Sequence, residues 1–114
     1  MMATSPQFPS TPRAEGINLA NDTLTSLLTA GASGTYCDKI EYFNAAANVD
    51  TLKVFLNDGE SDFQLREETL ATSGTIILDL AIPSGISIKV QLTKTDSETD
   101  ITGSVSVVCF GGDY

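Results

Sequence analysis

The sequence predicts an all-β protein, an antiparallel β-sandwich or jelly roll of about seven or eight strands with an extended N-terminal arm. Three observations carry that reading. From about Ile17 to Tyr114 the chain falls into short runs in which apolar and polar side chains alternate. Turn residues punctuate those runs at regular intervals, and no stretch keeps a helical period beyond a turn or two. Prolines sit three apart at Pro6, Pro9 and Pro12 and then vanish until Pro83, which divides an arm, residues 1–15, from a β domain, residues 16–114.

Taken in order, the arm comes first. Proline at every third position favours polyproline II, and fifteen such residues reach about 45 Å at ~3.1 Å each. Phe8 is the one aromatic of the arm and its natural anchor. Strands are then expected at Ile17–Ala20 and Thr23–Leu28, around a turn at Asn21-Asp22. A small-residue loop, Thr29–Gly34, leads to a strand at Tyr36–Phe43, and Leu52–Leu56 alternates as the next. Asn57-Asp58-Gly59 is a strong hairpin signal into Phe63–Leu70. Ile76–Ile82 follows, then a turn at Pro83-Ser84-Gly85. Ile86–Leu92 gives the cleanest alternation, with Ile86, Ile88, Val90 and Leu92 on one face. After the polar, acidic loop Thr95–Asp100, a last strand runs from Ile101 to about Phe110, and Gly111-Gly112 are read as a tight turn before Tyr114.

Length and composition bound the function. The 114 residues hold one domain, and a hydrophobic content of 41% is ordinary for a globular chain. No apolar run approaches the ~20 residues that span a bilayer. The start MMATSPQFPS has neither a basic region nor an apolar core, so no signal peptide is expected. Fifteen Asp plus Glu against six Lys plus Arg give a net charge of -9. Nucleic acid and anionic membrane surfaces are therefore not expected partners, since binding them needs cations to neutralise phosphates. Without a secretory signal, Cys37 and Cys109 are expected as buried thiols rather than a disulfide.

Chemistry is thinly represented. The chain has no histidine, which removes the usual general base and every Ser-His or Cys-His pair. Glu67 and Glu68 are adjacent and would point to opposite faces of a strand. No enzyme activity and no cofactor are expected. Asp58, Glu60, Asp62 and Asp96, Glu98, Asp100 alternate in two loops as calcium ligands do, but neither matches an EF-hand, and hairpin tips favour the same residues. Carbohydrate modules offer aromatic faces to sugars, whereas this chain has no Trp, and Tyr36 and Tyr42 read as packing residues. Pro9–Arg13 has a loose PxxP spacing, read as an extended spacer. Apolar residues on both faces of the last strand, Val105, Val107, Cys109 and Val108, Phe110, predict cover on both sides.

The runs SGTYCDKIEYFN, TLKVFLNDG, FQLREETL, LAIPSGISIKVQ and the closing VCFGGDY resemble those of small β-sandwich virion proteins of tailed bacteriophages. The shared features are a V-F-x-x-D-G hairpin (Val54, Phe55, Asp58, Gly59), the turn Ile82-Pro83-Ser84-Gly85 and the Phe-Gly-Gly-Asp-aromatic terminus, with Thr93–Asp100 longer here. The resemblance implies a non-enzymatic virion protein, first of all a capsid decoration or cement protein on the outer capsid, made in the host cytoplasm. Its partners would be the major capsid protein or other virion proteins and further copies of itself, a trimer being compatible with shell symmetry. A tail, neck or head-fibre component, or a host-surface or carbohydrate-binding module, is the alternative. The residues expected to meet partners are Pro6, Phe8, Pro9, Pro12, Arg13, Phe110 and Tyr114.

Overall fold

Alternation of side chains decides this fold, because a strand whose every second residue is apolar must lay that face on another sheet. The computed structural model describes residues 9–114 and contains eight strands: β1 (Thr11–Leu19), β2 (Thr25–Thr29), β3 (Thr35–Asn44), β4 (Val49–Asn57), β5 (Asp62–Thr69), β6 (Ser73–Ile82), β7 (Ser87–Lys94) and β8 (Val105–Asp113). They form two four-stranded sheets, sheet A in the order β1-β8-β3-β6 and sheet B in the order β2-β7-β4-β5. All neighbours are antiparallel. Successive strands from β1 to β4 cross between the sheets, and β5 to β8 return the same way, which is the double Greek key of a jelly roll.

The core lies between the sheets. Sheet A contributes Leu19, Cys37, Ile40, Tyr42, Ile76, Leu78, Ile82, Val105, Val107 and Cys109; sheet B contributes Leu27, Leu28, Leu52, Val54, Ile88, Val90 and Leu92. Each such aliphatic side chain stabilises the fold by roughly 1.5–3 kcal/mol. Ile88, Val90 and Leu92, the alternating set of the cleanest strand, lie on this inner face.

The turns obey local chemistry. In the β4–β5 hairpin Asp58 Oδ1 accepts from the backbone N–H of Glu60 and Ser61 at 2.9 and 2.7 Å, and Gly59 takes a φ of 101°. Ile86 N–H donates to Pro83 O at 3.2 Å with Gly85 at φ 89°, the glycine position of a type II turn. Asn48, at φ 65°, organises the acidic Thr95–Asp100 loop: its Oδ1 accepts from Asp96 N–H at 2.9 Å, and its Nδ2 donates to the carbonyls of Asp96 and Thr99.

Two expectations change. The boundary placed after Glu15 falls inside β1, because Thr11–Glu15 pair with Asp113–Cys109 of β8. β1 is an edge strand, where proline's missing N–H is tolerated, so Pro12 does not keep the chain out of the sheet. Gly111 and Gly112 make no turn; they continue β8 opposite Cys37 and Tyr36 of β3. Their role is close approach rather than conformational freedom. A Cβ on Gly111 would lie 1.9 Å from the Tyr36 carbonyl oxygen, beside the register slip of β3 between Cys37 and Lys39.

Candidate functional site

Antiparallel pairing of β1 with β8 brings sequence positions a hundred residues apart to one end of the sandwich. In β1 the side chains of Arg13, Glu15, Ile17 and Leu19 share one face, which is the inner one. Leu19 and Ile17 reach the apolar core; Arg13 and Glu15 stand where the sandwich opens. Arg13 Nη1 donates to Asp113 Oδ1 at 3.0 Å, to the Thr29 carbonyl at 2.8 Å and to Thr35 Oγ1 at 3.4 Å, while Nη2 meets Glu15 Oε1 at 2.9 Å. Thr35, fully buried, donates its hydroxyl to Asp113 Oδ1 at 2.6 Å and accepts from Gly31 N–H at 2.8 Å.

This cluster ties β1, β3 and β8 of sheet A to β2 of sheet B. The hydrogen bond from Thr35 and the Arg13 guanidinium hold the Asp113 carboxyl below the usual carboxylate range. Arg13 is in turn raised, first by its hydrogen bond to Glu15 and then by Asp113. Outside the cluster, Ser10 N–H donates to the Asp113 carbonyl at 2.8 Å and Tyr114 N–H to the Gly34 carbonyl at 3.2 Å. Pro9 lies over Gly112, close enough that a Cβ there would be 2.5 Å from Pro9 Cβ.

The second element of the site is the outer face of sheet A. Register places four rows across it: Pro12, Gly112, Tyr36, Ala81; Ala14, Phe110, Lys39, Ile77; Gly16, Val108, Glu41, Thr75; and Asn18, Ser106, Phe43, Ser73. Phe43 and Ile77 are more than half exposed. Lys39 reaches over the Phe110 ring, with Nζ 5.8 Å from its centroid, and pairs with Glu41 at 3.5 Å. A shallow groove of about 280 Å³ runs along Gly16, Asn18, Ser106 and Val108. Tyr36 Oη donates to Asp79 Oδ1 at 2.5 Å, and that hydrogen bond pushes the phenol pKa up to about 12. The outer face of sheet B is more polar, with Ser87, Lys89, Gln91 and Thr93 of β7 beside Thr51, Lys53, Phe55 and Asn57 of β4.

The residues expected to meet partners are thus partly gathered. Pro9, Pro12, Phe110 and Tyr114 lie around the β1–β8 end of sheet A. Arg13 lies there too but turns inward and spends its donors on the chain itself, because its parity in β1 is that of Ile17 and Leu19. Pro6 and Phe8 lie outside the described residues. Thr35, Asp113, Phe43 and Ile77 were not singled out from the sequence. The parity of Ile77 with Thr75 against buried Ile76 and Leu78 was the signal available for it.

In the acidic loops, the carboxylates of Asp58 and Asp96 serve as backbone acceptors, which lowers both. Among the described residues no group of three or more His, Cys, Asp or Glu is arranged to hold a metal. Tyr42 is buried and accepts from Ala71 N–H at 3.2 Å, a packing residue. Cys37 and Cys109 are buried thiols on neighbouring strands, and their mutual hydrogen bond together with burial pushes Cys109 up.

No family model matches the sequence, and no curated protein sequence matches it. Solved structures do match. The chain is similar to the PRD1 vertex protein P5, at 14% identity and a TM-score of 0.55, over 95% of this chain and 100% of that one. Weaker similarity extends to a chain of the infectious bursal disease virus Gx strain (12% identity, TM-score 0.41) and to one of the T13 IBDV viral particle (13% identity, TM-score 0.38). This chain covers 96% and 99% of its own length in those two but only 35% of theirs. The likeness to the vertex protein is one of fold and spans nearly all of both chains.

Proposed function

We propose that this chain is a non-enzymatic structural protein of a virion, and specifically a decoration or cement protein on the outer capsid of a tailed bacteriophage. The observation that carries the reading is that one jelly roll accounts for nearly the whole chain and superposes on the full length of a protein described as a vertex protein. The motifs Val54-Phe55-x-x-Asp58-Gly59 and Phe110-Gly111-Gly112-Asp113-Tyr114 support the phage assignment by resemblance. The action is adhesive. The sandwich sits on the shell, the arm preceding Pro9 offers Phe8 as an anchor for a neighbouring subunit, and many modest contacts repeated over a lattice add up. The acidic hairpins face solvent. The major capsid protein is the partner.

The fold match to a vertex protein favours one second reading, a position confined to the vertices. Copy number separates the two. Quantitative mass spectrometry of purified particles should find this protein in numbers comparable to the major capsid protein if it decorates the shell. A few copies per particle would place it at a vertex, tail or neck, and its absence from particles would end the virion reading. Deleting residues 1–8 should leave the sandwich folded while lowering incorporation; undiminished incorporation would remove the arm from the mechanism.

A further inference from the structure

We infer that Cys37 and Cys109 are a redox lock: a peroxide closes them into a disulfide that ties β3 to β8 inside the folded sandwich. The inference does not rest on the virion reading, because it concerns two thiols of the core.

The register brings them together. Cys37 stands opposite Gly111 and Ile40 opposite Cys109, so the thiols are diagonal neighbours on the two strands. Positions 37 and 40 would ordinarily face opposite sides of a strand. The bulge of β3 between Cys37 and Lys39 takes up one residue, and Cys37, Ile40 and Cys109 all turn inward with no exposed surface. Diagonal Cα atoms of a regular antiparallel pair are ~7–8 Å apart, just over the span of most disulfides. Here the strands come closer. Gly111 has no side chain, and β8 approaches until a Cβ on it would lie 3.2 Å from the Cys37 Cα. The two thiols end within hydrogen-bond reach of one another.

The pair lies one row inside the mouth of the sandwich. Thr35 and Asp113 face each other in the next row outward, and with Arg13 they form the polar cluster that closes this end. On the inner face of β8 only Gly111 stands between Asp113 and Cys109. Local opening of this end, rather than of the whole sandwich, therefore admits a molecule as small as hydrogen peroxide. Cys37 is the attacking sulfur: the hydrogen bond from Cys109 favours its thiolate, and the Arg13 charge adds to that.

The chemistry balances in two steps. The Cys37 thiolate attacks hydrogen peroxide; an S–O bond forms, the O–O bond breaks, and the hydroxide released takes the proton of Cys109. The Cys109 thiolate then attacks the Cys37 sulfenic sulfur; the S–S bond forms and the S–O bond breaks. The departing hydroxide takes up the proton that Cys37 first lost, so two waters result and the peroxide gains the two electrons that the thiols lose. In reducing surroundings the pair remains a dithiol.

The test treats the reduced full chain with millimolar hydrogen peroxide, stops the reaction with catalase, and labels free thiols in denaturant with N-ethylmaleimide. Both labels should be lost together. Peptide mass mapping should find Cys37 joined to Cys109, lighter by two hydrogens, and distinguishes this from oxygen added to Met1 or Met2. The product should be a monomer, and dithiothreitol should reverse it. It should melt roughly 10 °C or more above the dithiol, because the bridge closes a loop of roughly 70 residues. Cys109→Ala removes the resolving thiol, so dimedone should capture Cys37 as a sulfenic acid in that variant and not in the wild type. Thiols that stay labelled after peroxide would overturn the proposal, as would disulfide-linked dimers, sulfinic acid in place of the bridge, or a bridged chain that melts no higher than the dithiol. Should Cys109→Ala fail to fold, the wild-type mapping and melt decide alone.

Discussion

Alanine at position 111 would place a methyl carbon 1.9 Å from the Tyr36 carbonyl oxygen and 3.2 Å from the Cys37 Cα, whereas real Cβ contacts essentially never fall under 3.0 Å. Both obstacles are backbone, so no side chain can swing aside; β3 and β8 must part by about 1 Å at that point. Ladder bonds of ~2.9 Å on either side then stretch to nearly 4 Å, beyond useful geometry. Two lost backbone bonds cost about 1 kcal/mol each, and forcing the extra carbon into a packed strand costs ~1–3 kcal/mol more. Removing glycine's freedom from the unfolded chain offsets ~0.5–1 kcal/mol. The expected net loss is about 3 kcal/mol, which for a domain of ~100 residues lowers Tm by roughly 12–24 °C. Thermal unfolding followed by circular dichroism measures it, with urea unfolding as a check that the transition stays two-state. Gly59→Ala is the control. Its φ of 101° disfavours alanine but nothing lies within 4 Å, so it should cost only about 1 kcal/mol. If Gly111→Ala melts as high as Gly59→Ala, the claim that β3 and β8 need a glycine for close approach is refuted.

Thr35→Val keeps the shape of a fully buried side chain but leaves Gly31 N–H without its acceptor, so unfolding free energy should fall by about 1–3 kcal/mol while Thr35→Ser recovers most of it. Because Asp113 titrates below its unfolded value, its contribution is present at neutral pH and is lost as pH falls from about 4 downward. Wild type and Asp113→Asn should accordingly differ in stability at pH 7 and converge in acid; a pH-independent gap would mean that the carboxylate charge does not matter. Asp79→Asn should bring the Tyr36 phenol down from about 12 toward its ordinary value near ~10, read by ultraviolet titration with the Tyr36→Phe trace subtracted.

Each of the eight strands overlaps a run that reads as strand in the sequence; most bury one face and alternate, whereas β5, exposed apart from half-buried Leu65, is signalled by the Asn57-Asp58-Gly59 hairpin. What failed to show were features that depend on a partner strand. Thr11–Glu15 read as arm because Pro12 looked like the end of a polyproline run, and only the presence of β8 alongside makes it an edge strand. Gly111-Gly112 read as a turn because glycine is ambiguous between freedom and small size; the Tyr36 carbonyl decides for size. The Arg13–Asp113 pair spans a hundred positions, so no local pattern could announce it, although the shared parity of Arg13 with Ile17 and Leu19 placed Arg13 on the inner face. The apolar residues on the mixed outer face of sheet A were half legible. Val108 and Phe110 stood out beside Val107 and Cys109, but that they line up with Ala14 and Ile77 follows only from the register.

The pairing of β1 with β8 also sets a schedule. β1 has one neighbour in its sheet, and that neighbour is β8, which follows the other six strands in the chain. Until Val105–Asp113 emerge, β1 has nothing to pair with, β3 has one side bare, and Leu19, Cys37 and Ile40 lack the Val105–Val107–Cys109 row that closes over them. Sheet A therefore cannot close until all eight strands have been made. Closing the longest loop late makes folding slow for a chain this short, and the waiting chain shows sticky strand edges to its neighbours. The same arrangement acts as a completeness check. A chain broken off before β8 lacks the strand that pairs with both β1 and β3, so its sheet A cannot close.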